Sequence, residues 1–118
     1  MRMGWGVGGA DVDLILRGLP SLPLRYARHD ATARQLALWL QNQAAVAQVL
    51  HPALAGSAGH DFWRAACVTP TQPEGRAAGL FSIVLAPHIS RAQAHSFCDA
   101  LALFKIGYSW GGHASLVM

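Results

Sequence analysis

All six prolines fall at places where a regular element must stop or start. Pro20 and Pro23 sit in "GLPSLP", Pro52 follows "VAQVLH", Pro70 and Pro73 lie in "TPTQPEGRAAG", and Pro87 closes "LFSIVLA". Proline lacks a backbone N–H and restrains the residue before it, so each marks an expected boundary. The chain must therefore be an assembly of short elements and cannot be one long helical rod. Glycines reinforce the same punctuation at residues 4–9, 56–59, 75–79 and 107–112.

Between these marks the pattern predicts a short helix over Val12–Leu19 with Asp11 as N-cap, after a glycine-rich loop at residues 1–10. Pro20 and Pro23 then bend the chain. A longer helix is expected from about Leu24 to Gln43, with Leu36, Trp39 and Leu40 on its apolar face and Ala27 and Ala31 above them. "VAQVLHP" reads as a strand, "ALAGSAGH" as a loop, and "DFWRAAC" as a single turn or short helix. Residues 69–79 read as a mobile loop. "LFSIVLA" (80–86) is the clearest strand. "SRAQAHSFCDAL" is a helix capped by Ser90, with Ala94, Phe97, Cys98 and Leu101 inward. "LFKIGYS" and "ASLVM" are the last strands. That order defines an α+β fold, a small and largely antiparallel sheet with helices on one face.

A length of 118 residues points to a single domain with a modest core. Hydrophobic residues make up 53% and charged residues only 13%, so the chain is folded and carries surplus apolar surface for a partner or a larger protein. The net charge of +3 rests on eight scattered arginines and Lys105. A phosphate-binding surface needs clustered charge, so nucleic acid is not an expected partner. No stretch approaches the roughly 18 apolar residues of a membrane span, and Asp11 and Asp13 interrupt any signal-peptide core. Cys67 and Cys98, without CxxC spacing, fit buried thiols of a reducing, cytoplasmic setting.

Local motifs for chemistry are few. The G-x-G-x-G-G run at Gly4–Gly9 has no strand before it, as a dinucleotide fingerprint requires. Of the six histidines only His95 has candidate ligands at helical spacing, Cys98 and Asp99. Cys98 belongs to the apolar face, so no metal site is expected. There is no GxSxG elbow, and Glu74 is the only glutamate. Asp11, Asp13, Asp30, Asp61 and Asp99 suit helix caps or solvated positions.

"GYSWGG" (107–112) is different. A serine between two aromatics, followed by two glycines, suits a strand end that bends sharply. Glycine adopts positive φ freely and lets backbone N–H groups approach a ligand. A hydroxyl beside exposed N–H groups can seat a carboxylate or phosphate, and Trp110 can wall a pocket. A tight turn with packed aromatics satisfies the same pattern.

On these residues the chain resembles a known family. "IGYSWGG" followed at a short distance by "SL" is similar to the C-terminal domain of the cystathionine β-lyase group, the pyridoxal-phosphate enzymes of cysteine and methionine metabolism. Upstream, Leu16-Arg17-Gly18-Leu19, the Arg25 to His29 spacing, "VAQVLHPAL" and "GLFSIVL" resemble the same family in order. The resemblance implies the α+β small domain of a fold-type I enzyme. Residues 1–20 would close the large cofactor domain and its linker, and 21–118 would form most of the small domain, incomplete at its end.

The resemblance further implies pyridoxal 5'-phosphate as cofactor, an amino-acid substrate and assembly as a tetramer. The implied reaction is α,β-elimination of L-cystathionine to homocysteine, ammonia and pyruvate, with the cofactor as electron sink. It places Ser109 near the cofactor-linked lysine and the substrate carboxylate, Trp110 against the substrate, and Tyr108 at an aromatic position of the same site. It places no catalytic or cofactor-binding residue in this chain. Lys105, the only lysine, does not match the family's lysine motif and reads as an exposed strand residue. His113 and Ala114 depart from the family's usual Tyr-Glu after the two glycines, and Pro20 from its usual Arg. Two other readings stay open: a non-catalytic remnant or interaction module, and a γ-synthase or γ-lyase relative, against which Trp110 argues.

Overall fold

Helix α2 (Leu22–Leu40) is the backbone of the architecture, and its start explains two of the prolines. Pro23 lies in its first turn and Pro20 in a single 3-10 turn (Leu19–Ser21) that joins it to α1 (Gly9–Gly18). A first-turn N–H has no helical partner in any case, so proline there is tolerated. The bend is held by Arg25, which donates from Nη2 to the Gly18 carbonyl at 3.1 Å and from Nε to Ser21 Oγ at 3.1 Å. The helix stops at Leu40 because Asn42 and Gln43 fold back. Their side-chain amides donate to the carbonyls of Leu38 (2.9 Å) and Trp39 (3.0 Å).

The computed structural model describes residues 6–118. Beyond α2 it contains β1 (Val46–Leu50), α3 (His60–Cys67), β2 (Ser82–Leu85), α4 (Arg91–Asp99), β3 (Lys105–Ile106) and β4 (Leu116–Val117). Strands β1 and β2 pair antiparallel, Val46 opposite Leu85 and Leu50 opposite Ser82, with a register shift between Val46 and Gln48. Helix α2 packs on this pair through Ala37, which meets Val49 and Leu54, ringed by Leu40, Val46, Phe81 and Ile83. The fold is α+β, as the element order indicates. The closing pair departs from the expected direction: β3 and β4 run parallel.

Three further expectations change. The start of α1 is Gly9, capped by Gly8, so Gly9 and Ala10 are helical and Asp11 is a first-turn acid rather than the cap. Carboxylates in a first turn still favour the positive end of the helix dipole. Of the rest of the expected loop, residues 6–8 are irregular and residues 1–5 lie outside the described residues. The inward stripe of α2 is Asp30, Ala33 and Ala37, while Trp39 is 58% exposed and Ala31 is exposed. Small residues face the sheet because they allow close approach, which the larger Trp39 would block.

Finally, residues 69–79 are fastened rather than mobile. Asp30, expected at a cap or in solvent, is 4% exposed and accepts from the Ala77 backbone N–H at 2.7 Å. Arg34 reaches the Glu74 and Gly75 carbonyls, each at 3.2 Å.

Helix α1 buries none of its residues. The Cα radius of gyration is 17.6 Å, against about 13–14 Å for a compact chain of this length. Val12, Ile15, Leu16 and Leu19, spaced i, i+3, i+4, i+7, are all exposed.

Candidate functional site

The Ser-x-x-Gln sequence at Ser90–Gln93 starts α4 with a complete capping box. Ser90 Oγ accepts from the Gln93 N–H at 3.3 Å and Gln93 Oε1 accepts from the Ser90 N–H at 2.8 Å. From α4 the chain passes through β3 into the segment 107–115 and returns in β4. Two hydrogen bonds clamp the neck of this loop: Lys105 N–H to Ser115 O at 2.9 Å and Gly107 N–H to Val117 O at 3.1 Å.

Tyr108, Ser109 and Trp110 come together at the loop tip. Tyr108 and Trp110 stand edge to face, centroids 6.3 Å apart at 89°, the arrangement favoured by opposed ring quadrupoles. They are 74% and 49% exposed. Ser109 has φ +83 and Gly111 φ +89. Glycine meets no penalty there, but serine does, about 1–2 kcal/mol. Strained non-glycine backbone of this kind concentrates at ligand clamps. The geometry offers an exposed hydroxyl and two apolar ring faces on one sharply bent loop, suited to hold a small polar molecule against an aromatic wall.

Lys105 lies at the neck of the same loop, exposed, and its ammonium donates to the Ala102 carbonyl at 3.1 Å. His113 and Ala114 are exposed on the loop. A groove of about 310 Å³ lies elsewhere, along β1, lined by Gln41, Val46–Val49 and Ala55–Ser57. Among the described residues, no three His, Cys, Asp or Glu side chains gather as metal ligands would. His95 contacts Arg91 Nε at 3.5 Å, and Cys67 and Cys98 are free, half-buried thiols. No helix among the described residues is long and apolar enough to cross a membrane.

A second polar centre escaped the sequence reading. Asp30 Oδ2 pairs with Arg34 Nε at 3.1 Å and lies 3.9 Å from Arg76 Nη1. Arg34 stacks over Trp63 at 5.3 Å, and Trp63 Nε1–H donates to Arg76 O at 2.9 Å. The i, i+4 spacing of Asp30 and Arg34 was the one signal for it. Beside it His51 is fully buried. Burial, reinforced by the Arg34 charge and opposed by Asp30, lowers its pKa below the ordinary 6.5.

The whole chain, residues 1–118, matches the family of Cys/Met metabolism PLP-dependent enzymes, and it belongs to that family. It is 39% identical over 102 residues to cystathionine beta-lyase of Salmonella typhimurium, covering 86% of this chain and 24% of that protein. It is 35% identical over 116 residues to cystathionine beta-lyase MetC of Escherichia coli, covering 98% and 28%. Among solved structures, a cystathionine gamma synthase of Xanthomonas oryzae pv. oryzae in complex with aminoacrylate and cysteine superposes with a TM-score of 0.74 at 34% identity. That match covers 91% of this chain and 25% of that one. The chain thus spans about a quarter of the length of the relatives it matches.

The family depends on pyridoxal phosphate. The residues here do not by themselves fit that group. The one lysine is turned onto a backbone carbonyl, and the Ser109 loop is an open surface with both aromatic rings exposed.

Proposed function

We infer that this chain is a part, about a quarter in length and from the C-terminal region, of a pyridoxal-phosphate-dependent carbon–sulfur lyase that cleaves L-cystathionine by α,β-elimination to homocysteine, ammonia and pyruvate. The observation that carries this reading is the Tyr108–Ser109–Trp110 loop, set on a chain that matches the family end to end. Ser109 and the neighbouring backbone N–H groups hold the substrate carboxylate, Trp110 walls the substrate, and Tyr108 braces Trp110. The Schiff-base lysine and the phosphate cradle belong to the rest of the protein, so the chain alone is inactive. Its contribution is to bind and orient the amino acid, which lowers the barrier by positioning.

The exposed apolar stripe of α1 supports the division in which residues 1–20 join the large cofactor domain and 21–118 form the small one. Surplus apolar surface also supports a homo-oligomer, the tetramer of the family. The free thiols support a cytoplasmic setting.

The Xanthomonas relative supports a second reading, a γ-synthase. The test replaces the matching stretch of the Escherichia coli relative with residues 1–118. Pyruvate release from L-cystathionine is the expected result. Formation of cystathionine from cysteine and an O-acylated homoserine, with release of the acyl carboxylate and no pyruvate, would assign the γ-synthase. A folded, cofactor-loaded hybrid with neither activity would leave a non-catalytic remnant.

A further inference from the structure

His51 follows β1 directly, and its ring lies 5.8 Å from Phe81 of the segment leading into β2. Its Nδ1 accepts the Ala53 backbone N–H at 3.2 Å, and its own carbonyl accepts the Leu54 N–H at 3.0 Å. Nδ1 therefore presents a lone pair, and the proton of the neutral ring sits on Nε2. That Nε2 is buried and has no hydrogen-bond partner among the described residues. An imidazolium needs a proton on each nitrogen. Its Nδ1–H would face the Ala53 N–H, donor against donor, and its Nε2–H would stay unpaired on a buried cation. The site as folded disfavours the imidazolium: burial and Arg34 outweigh Asp30 and the ring's own backbone group, which favour it.

The turn that His51 anchors leads straight to α3. Ser57 N–H donates to Leu54 O at 3.1 Å and His60 N–H to Ser57 O at 3.1 Å. His60 Nδ1 lies 2.8 Å from the Pro52 carbonyl, so it donates there. The two histidines flank one turn, His51 accepting a hydrogen bond at Nδ1 and His60 donating one from it.

We propose that His51 is a proton-operated catch: proton uptake at Nδ1 releases the Ala53 N–H and detaches the His51–His60 turn, with α3, from the core of β1 and α2. The charged groups acting on it are Arg34 and Asp30, both on α2; Phe81 contributes no charge. Arg34 opposes a second cation, while Asp30 is already engaged by Arg34 and Ala77. The catch holds at neutral pH and opens in mild acid, independently of the reaction assigned above.

Hydrogen exchange of the 118-residue chain tests this, with protection factors corrected for intrinsic exchange at pH 7.5 and 5.5. Protection across 51–67 is expected to fall at least tenfold at pH 5.5 while α2 keeps its protection. H51N, whose Oδ1 can stand in for Nδ1 but takes no proton, should hold the turn closed at both values. H60N should leave the pH dependence in place. Equal wild-type protection at both values, the same loss in H51N, loss of the effect in H60N, or parallel loss in α2 would each overturn the proposal. Nitrogen-15 shifts of His51 provide a reading that needs no variant. An unprotonated Nδ1 at pH 7.5 supports the catch, and a protonated one defeats it.

Discussion

Asp30 and Ala77, 47 residues apart in sequence, meet at 2.7 Å, carboxylate Oδ1 to backbone N–H. Through this bond and the Arg34 contacts, the loop 69–79 is part of the folded body rather than an appendage. Asp30 has its remaining oxygen on Arg34. Replacing it with alanine leaves the Arg34 cation without its partner and the Ala77 N–H without an acceptor. D30A should lower stability by about 3 kcal/mol, read as a shift of the urea midpoint at unchanged slope. Exchange protection at Ala77 should be lost with it.

Two neighbouring positions in that loop should respond in opposite directions. Gly75 has φ +58, and a Cβ there would stand 2.8 Å from Trp63 Cζ2. G75A should destabilise by about 2 kcal/mol, since neither the backbone nor the indole can yield cheaply. Ala78 has φ +61 with a Cβ already in place. A78G should stabilise by up to about 1 kcal/mol through relief of that strain, less the added freedom of the unfolded chain. Thermal melts of both variants side by side check the opposite signs.

His51 makes stability depend on pH. Its folded pKa lies below the unfolded value of about 6.5, so the unfolded state binds more protons between the two. Its contribution is therefore complete above about pH 6.5 and is lost as pH falls through the folded pKa. Urea midpoints should decline from pH 7.5 to pH 5 in the wild type and decline less in H51N. An equal slope in both would remove His51 as the cause.

Ser109 sets strain against binding. S109G should raise stability by about 1 kcal/mol by relieving positive φ. In the hybrid enzyme the same change should raise KM for L-cystathionine about tenfold, because the hydroxyl proposed to hold the carboxylate is gone. A hybrid with unchanged KM would exclude Ser109 from substrate holding.

W110A in the hybrid should lower kcat/KM by at least tenfold, since it removes the proposed aromatic wall without touching the core. Trp110 is about half exposed, so the domain's melting temperature should move by no more than a degree or two.

The sequence by itself determined the order of the elements and the loop that carries the candidate site. Proline and glycine punctuation marked the boundaries, Ser90 announced the N-cap of α4, and the β-branched run of β2 had one reading. Tyr108-Ser109-Trp110 was legible because aromatic, hydroxyl and glycine residues stand next to one another in the chain. What only the tertiary structure decided is which side chains are buried and what they meet. Trp39 lies outside and Ala33 and Ala37 inside because the distance between helix and sheet, not hydrophobicity, selects the packed face. Asp30 is buried because its partners Ala77 and Arg76 arrive from a distant loop. The parallel direction of β3 and β4 follows from the path of the loop between them. His51 became a titrating group of interest only once its Nδ1 found Ala53 and its Nε2 found nothing. Local propensity is written along the chain, whereas burial and pairing depend on contacts between residues the chain keeps far apart.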